Sequence, residues 1–183
     1  MTTVVSWRWR RRRRGVSLMD FLLYLTLAAV VVAGAVLAYN NVDNRQKRLE
    51  TAQLVNEIYA VVADLHRGGA SYGTASLVAT LEAAKMVPHK ARRVSGKTVT
   101  IETPFGKSVT VEGSDGGDTF TITVEDMSEA NCIDLVTNYA DLDEDESSLS
   151  SIEIGGTDLP MPATVAAIAT ACDDDDDVEL VFR

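Results

Sequence analysis

The sequence predicts an α+β fold, built from one long N-terminal helix and a body of strands and short helices. Residues 16–39 form an apolar segment whose only charge is Asp20, and about 20 such residues span a bilayer core. Beyond residue 40 the chain is polar, yet apolar residues still recur every three or four positions, as on one face of a helix. From residue 97 onward, runs that alternate apolar and polar residues indicate half-buried strands.

Charge divides the chain as clearly as hydropathy does. The first fifteen residues carry six of the 17 basic residues and no acid, so 11 basic and 27 acidic residues follow, a net charge of −16. An arginine cluster ahead of an apolar segment favours the cytoplasmic side of a membrane for the leader and the far side for the body. The acidic body argues against nucleic acid as a ligand, because phosphate binding requires lysine and arginine.

The helical periodicity predicts one helix from Ser17 to Arg67. No proline interrupts this segment, and the glycines at 68 and 69 follow a basic last turn, which is typical of a helix end. We expect the apolar first half to protrude and the amphipathic second half to pack on the body. The stripe expected to make that contact consists of Leu49, Ala52, Val55, Ile58, Val62 and Leu65.

The body is predicted to contain short helices and strands separated by turns. Alternation is clearest in two runs that flank a Pro-Phe-Gly turn, which predicts a β-hairpin. An acidic, serine-rich loop is expected over 141–151. The expected elements are a helix over 75–84, strands over 97–103, 107–112 and 119–124, a helix over 128–137, a strand over 151–154, a helix over 162–171 and a strand over 178–182.

The junction between leader and apolar segment is the most specific motif. Basic residues precede Gly15, Val16 opens the apolar segment, and Asp20 stands five residues after the glycine. This junction resembles the processing site of type IV pilin precursors, in which a membrane peptidase cuts after the glycine and methylates the new N-terminus. The resemblance implies a cleaved leader over 1–15, with Val16 as the mature first residue. Asp20 then occupies the fifth position, where the family usually has glutamate.

The physical role of Asp20 can be argued independently of that family. A carboxylate inside an apolar segment is costly unless it has a partner. Cleavage at Gly15 would expose an α-amine on Val16, four residues away in sequence. In a filament, Asp20 of one subunit would meet the Val16 amine of its neighbour, and this pair would fix the register of the subunits. The alternative is that Asp20 lies near the membrane surface with its carboxylate reaching water.

Motifs in the body extend the resemblance to the type IVb pilins, a subgroup that includes the toxin-coregulated and bundle-forming pilins and those of conjugative thin pili. Ser-Tyr-Gly-Thr at 71–74, Met-Val-Pro at 86–88, Thr-Pro-Phe-Gly at 103–106 and the run at 129–136 occur in a similar order. The resemblance implies a pilin-like fold, with a long helix packed on an antiparallel sheet and a disulfide-closed C-terminal region. It divides the chain into leader 1–15, membrane and filament helix 16–39, and globular domain 40–183.

Both cysteines, Cys132 and Cys172, lie in the body. A membrane-crossing segment ahead of them indicates an oxidising compartment, which favours one disulfide over two separate buried thiols. The resemblance implies that the two cysteines close the C-terminal loop. Closing a loop of this length would stabilise the fold by about 4 kcal/mol in the chain-entropy treatment.

The sequence contains no recognisable catalytic or cofactor motif. There is no nucleophile elbow, phosphate loop or metal-ligand spacing, and His66 and His89 each stand beside a cation. The acidic run at 173–177 offers oxygen ligands for calcium, but consecutive side chains do not converge, so we interpret it as a solvated patch. We expect a non-enzymatic protein without cofactor or metal.

The resemblance implies a structural subunit of a type IVb pilus that forms a helical homo-oligomer and supports adhesion, aggregation or conjugation. Implied partners are the prepilin peptidase, the assembly ATPase, the inner-membrane platform protein and the outer-membrane secretin, with no direct nucleic-acid binding. The precursor would lie in the inner membrane with its N-terminus cytoplasmic and its body periplasmic, and would later reach the cell-surface pilus.

Three alternatives remain open at this point. The first is a minor pilin or a type II secretion pseudopilin. The second is a secreted protein whose signal peptide is cut near 33–38, where small residues offer cleavage sites. The third is a binding domain anchored by a single membrane span. The mass of the mature N-terminus distinguishes the pilin class from the other two.

Overall fold

The computed structural model describes residues 18–67, 71–73, 75–96, 98–114, 117–140, 148–173 and 176–183. The chain divides into two units, one up to Val42 and one from Asp43 onward. Helix α1, Leu18–Leu65, has residues in both units. It begins and ends within two residues of the predicted helix, so the long N-terminal helix is confirmed.

The second unit contains the remaining elements. The helices are α2 (Val78–Ala83), α3 (Glu129–Ala140) and α4 (Val165–Ala171). The strands are β1 (Arg92–Ser95), β2 (Thr98–Glu102), β3 (Ser108–Gly113), β4 (Phe120–Met127), β5 (Leu149–Ile154), β6 (Thr157–Leu159) and β7 (Asp176–Phe182).

Among the described residues, seven strands form one sheet in the order β1-β2-β3-β4-β7-β5-β6, and every neighbouring pair is antiparallel. Strands β1 to β4 follow chain order, whereas β7 inserts between β4 and β5. Val178 of β7 therefore lies opposite Val124 on one side and Ile154 on the other. The predicted antiparallel sheet is confirmed.

The buried face of the sheet is continuous with the buried face of α1. Phe120 of β4 lies opposite Phe182 of β7, and their rings are 5.5 Å apart. Tyr59 of α1 packs on both rings, at 6.1 Å from Phe120 and 4.8 Å from Phe182. The second half of the helix thus covers the centre of the sheet, as the amphipathic pattern predicted.

The residues that make this contact differ in part from the predicted stripe. Leu49 and Leu65 are 63% and 37% exposed, so both assignments were wrong. At about 100° per residue, Leu49 lies roughly 120° around the helix from Val55, away from the buried face. Leu65 is the last residue of α1, where packing on the helix ends. The buried positions of α1 are Thr51, Leu54, Val55, Ile58 and Val62, while Ala52 is partly buried against the core.

Replacing Ile58 by alanine should test this contact. The Ile58 side chain is only 1% exposed, so its truncation leaves a cavity in the core. We expect the free energy of unfolding to fall by about 3 kcal/mol, the sum of lost apolar burial and a residual cavity. Thermal unfolding of the full chain in detergent measures the change. Leu49→Ala is the matched control and should change stability by less than about 0.5 kcal/mol. Equal losses in both variants would contradict the observed burial.

Two strands were not predicted. β1 carries adjacent arginines and lacks apolar alternation, yet it pairs with β2 over four residues. β6 has three residues, too few for a periodic signal, and follows a tight turn at Gly155 and Gly156. Both glycines have positive φ values of 55° and 80°, which is the backbone conformation that a two-residue hairpin turn requires.

Several other predicted elements have different bounds. The helix expected from Pro162 begins at Val165, because Thr164 is extended and its hydroxyl accepts the N–H of Ala167 at 3.3 Å, which caps the helix. The predicted acidic loop lies mostly outside the described residues, and its last residues belong to β5. Strand β4 continues past its predicted end at Val124 as far as Met127, and its register with β7 shifts between these two residues.

Candidate functional site

Helix α1 is exposed at every residue from Leu18 to Val42, a range that includes the described part of the apolar segment. Within the described part of the chain, α1 is the one helix long and apolar enough to cross a membrane. An exposed apolar surface far larger than a few hundred Å² marks an interaction or membrane site rather than a solvated surface. The large exposed side chains are Leu18, Met19, Phe21, Leu22, Leu23, Tyr24, Leu25, Leu27, Val30, Val31, Val32, Val36, Leu37, Tyr39 and Val42.

Asp20 is the only charged residue of this segment and lies in the first turn of α1. The partial positive charge at a helix N-terminus favours a carboxylate there. The residues three and four positions further along, Leu23 and Tyr24, are its neighbours on the helix surface, and they are 64% and 66% exposed, so apolar side chains lie beside the acid. Gly15 and Val16 lie outside the described residues, so cleavage and the pairing of Asp20 with Val16 stay predictions.

The disulfide between Cys132 and Cys172 is present, and its Cα atoms are 5.9 Å apart. Cys132 lies in α3 and Cys172 directly follows α4, so the bond joins two helices whose sulfur-bearing sides are buried. The predicted disulfide-closed C-terminal region is therefore confirmed. The enclosed segment is more than a loop, since its described part includes β5, β6 and α4.

Helix α3 is also tied to α1 by polar contacts that the sequence did not predict. The Arg48 Nε donates to Asn131 Oδ1 at 3.1 Å, and the Tyr139 hydroxyl donates to Asn56 Oδ1 at 3.1 Å. Burial raises the pKa of Tyr139 to about 12, so its hydroxyl stays a donor at neutral pH. Together with the disulfide, these bonds connect α1 to the C-terminal region through α3.

The outer face of the sheet carries a row of acids across three strands. Glu153 of β5 lies opposite Asp158 of β6 on one side and opposite Glu179 of β7 on the other. Burial raises the pKa of Glu179, and the carboxylates of Glu153, Asp177 and Glu112 raise it further. Like charges directly opposite each other destabilise a sheet, so this row lowers the stability of the isolated chain.

Glu179→Gln should therefore stabilise the fold at neutral pH. Because the pKa of Glu179 is raised on folding, the folded state binds this proton more tightly, and stability falls as pH rises through the folded pKa. We expect the variant to gain up to about 1 kcal/mol at pH 7. That gain should vanish below about pH 4, the unfolded pKa of glutamate, where both states are protonated.

Thermal unfolding of the full chain in detergent at pH 7 and pH 4 measures this difference. Glu57→Gln on α1 is the matched control, because Glu57 is exposed and has no strand opposite it. An equal gain in the control, or a gain that persists at low pH, would show that the acidic row does not strain the sheet.

Comparison with known proteins places the chain in a family. Residues 45–183 match the family described as PilS N terminal. The chain belongs to the PilS family. Among solved structures, the PilS-family chain is similar to TcpA, a type IV pilin from Vibrio cholerae El Tor biotype. The TM-score is 0.53 at 15% identity, and the match covers 75% of this chain and 99% of the TcpA chain. No curated protein matches the sequence.

The PilS family and the pilin fold confirm the predicted resemblance to type IVb pilins. The architecture of this PilS-family chain is that of TcpA, a type IV pilin. Within the described residues, no group of three or more His, Cys, Asp or Glu side chains is arranged to hold a metal ion. Of the predicted site residues, the structure brings the two cysteines together and places Asp20 on the exposed apolar segment.

Proposed function

We propose that this chain is the subunit of a type IVb pilus, that it is processed after Gly15, and that it polymerises through the apolar segment of α1. The observation that carries this proposal is the complete exposure of apolar side chains from Leu18 to Val42. Such a surface is stable only in contact with lipid or with other apolar helices. Lipid covers it in the precursor, and the same segments of neighbouring subunits cover it in the filament.

Asp20 acts in this proposal as the residue that sets subunit register. Transfer of the segment from lipid into a helical bundle leaves its carboxylate in an apolar environment, where an unpaired charge is heavily penalised. The α-amine that cleavage creates on Val16 supplies the opposite charge. One pairing geometry between neighbours satisfies both groups, so misaligned subunits are disfavoured.

Small residues in the segment support close packing of these helices. An added Cβ at Gly34 would meet nothing within 4 Å in the described structure, so the glycine is not required for contacts within the chain. Small side chains let neighbouring apolar helices approach closely. The other small residues of the segment are Ala28, Ala29, Ala33, Ala35 and Ala38.

The charge distribution supports an orientation with the arginine-rich leader in the cytoplasm and the acidic body in the periplasm. A disulfide within the body is consistent with that oxidising compartment. The proposed sequence of partners is the prepilin peptidase, the platform protein with its assembly ATPase, and the secretin. The assembled pilus at the cell surface then supports adhesion, aggregation or conjugation.

The mass of the N-terminal peptide from sheared surface filaments tests the proposal. We expect a chain that begins at Val16, with a methylated amine, as the main component of those filaments. A chain that begins near 36–39 would instead identify a secreted protein, and one that begins at Met1 would identify an uncleaved anchor. A chain processed at Val16 but scarce in the filaments would be a minor pilin or pseudopilin.

Gly15→Val supplies the matched control, because it alters the cleavage site and leaves the body sequence unchanged. This variant should keep its leader and accumulate in the membrane fraction without filaments. Filaments of normal yield that retain the arginine leader would refute processing as a condition for assembly.

A further inference from the structure

The charges of the body are segregated along the sequence. Residues 108–182 contain 20 acidic residues and no lysine, arginine or histidine. Residues 85–107 contain six lysines and arginines, one histidine and a single acid, Glu102. A random arrangement of these charges would interleave them, and a surface with large single-sign regions steers association with oppositely charged surfaces.

Because of the strand order, the basic and the acidic residues also lie far apart on the folded sheet. The order β1-β2-β3-β4-β7-β5-β6 puts the basic residues at the β1 edge and the acidic row at the β5–β6 edge. We name two surfaces by their residues. The basic edge consists of Lys85, His89, Lys90 and Arg92, and the acidic row consists of Glu153, Asp158 and Glu179.

The basic edge contains a cavity that suits carboxylate side chains. Its volume is about 260 Å³, and Lys85, His89 and Arg92 line it together with Glu82 and Val87. Arg92 already pairs with Glu82, at 2.9 Å from Nε to Oε2. Within the described residues, neither Lys85 nor Lys90 forms an ion pair, and both are exposed. Lys85 therefore remains available in this cavity, and Lys90 remains available on the neighbouring surface, which Pro88 and Ala91 also line.

The acidic row presents the complementary surface. Its three carboxylates lie on adjacent strands, and Glu153 is directly opposite the other two. No lysine or arginine of the described residues forms an ion pair with any of them. Burial and the neighbouring carboxylates raise the pKa of Glu179, and a cationic surface placed on the row would relieve the repulsion between these carboxylates.

We infer that the acidic row of one copy of this chain docks on the basic edge of a second copy. The inference rests on the proposed function, because only a polymer holds many copies of the body side by side. The two surfaces lie at opposite edges of one sheet, so each contact leaves a free basic edge and a free acidic row for further copies. Such a head-to-tail contact propagates as an open filament instead of closing as a dimer.

Charge favours a second copy over a nucleic acid as the occupant of the basic edge. A duplex carries phosphates along its whole length and would be repelled by the chain as a whole, whose net charge after residue 15 is −16. A second copy instead offers a compact acidic row whose own repulsion is reduced by the contact.

Charge reversal in the full chain tests the inference. Lys85→Glu with Lys90→Glu reverses the basic edge, and Glu153→Lys with Asp158→Lys reverses the acidic row. Each pair should lower the yield of sheared filaments by about tenfold or more, because like charges then face each other. A chain with all four substitutions regains complementarity and should recover most of that yield. Asp118→Lys, at an exposed turn outside both surfaces, is the matched control and should assemble normally.

The outcomes separate this inference from the proposed function. Normal filaments from both reversed pairs, or no recovery in the four-substitution chain, would overturn the docking contact while leaving a pilus subunit in place. Absence of the unaltered chain from filaments would refute the pilus function itself. Binding of duplex DNA by the detergent-solubilised full chain, lost only in Lys85→Glu with Lys90→Glu while filaments stay normal, would assign the basic edge to nucleic acid.

Discussion

Asp20→Ala should abolish filament formation while leaving the body folded. The substitution removes the only charge of the apolar segment and leaves the proposed Val16 amine of the neighbour without a partner. Breaking a buried ion pair costs about 3–5 kcal/mol, which is more than a hundredfold in the affinity of each contact. The amount of chain in sheared surface filaments, relative to the amount in the membrane, measures the effect.

Two control variants sharpen this experiment. Asp43→Ala also removes a carboxylate from α1, but this acid lies outside the apolar segment and forms an ordinary i,i+4 pair with Lys47 at 2.8 Å. It should assemble at close to the normal yield. Asp20→Glu keeps the charge and should retain assembly, whereas Asp20→Asn keeps the shape and should fail. Normal assembly of Asp20→Ala would show that a charge at this position does not set register.

The double replacement Cys132→Ala with Cys172→Ala should cause the largest loss of stability. The bond joins positions 40 residues apart in sequence, and the chain-entropy treatment gives about 4 kcal/mol for a loop of that length. That is a large fraction of the total stability of a domain this size. Thermal unfolding in detergent of the double variant and of the unaltered full chain measures the loss. The unaltered chain with its disulfide reduced should show a similar loss.

The double replacement also separates stability from assembly. It avoids leaving one unpaired buried thiol, and alanine fits both buried positions. Asp20→Ala in the same unfolding experiment should match the unaltered chain, because Asp20 lies in the first unit, outside the body. If removal of the disulfide changes filament yield but not thermal unfolding, the bond supports an interface between subunits instead of the fold of one subunit.

The elements that sequence reasoning predicted are those with local causes. Helix α1 contains no proline, and its helical periodicity continues from the apolar half into the amphipathic half, so its bounds were predicted within two residues. The β2–β3 hairpin was predicted because two alternating runs flank a turn that ends at Gly106, whose φ of 76° favours glycine. The disulfide followed from the resemblance to pilins and from there being only two cysteines.

The elements that it missed depend on distant partners. β1 is a strand because β2 supplies the hydrogen bonds, although Arg92 and Arg93 interrupt any apolar alternation. Leu49 follows the spacing of a helical stripe, yet the sheet buries the face that contains Leu54 instead. The acidic row exists only because β5, β6 and β7 are adjacent, and the strand pattern alone does not indicate which strands will be neighbours.

The insertion of β7 between β4 and β5 makes completion of the sheet depend on residues near 180. β5 and β6 pair with each other, and β7 alone joins them to the remaining strands. A chain still being translocated, or interrupted before residue 176, would therefore hold two separate half-sheets with open edges. The surface of the finished sheet therefore forms only after the last strand of the chain is in place.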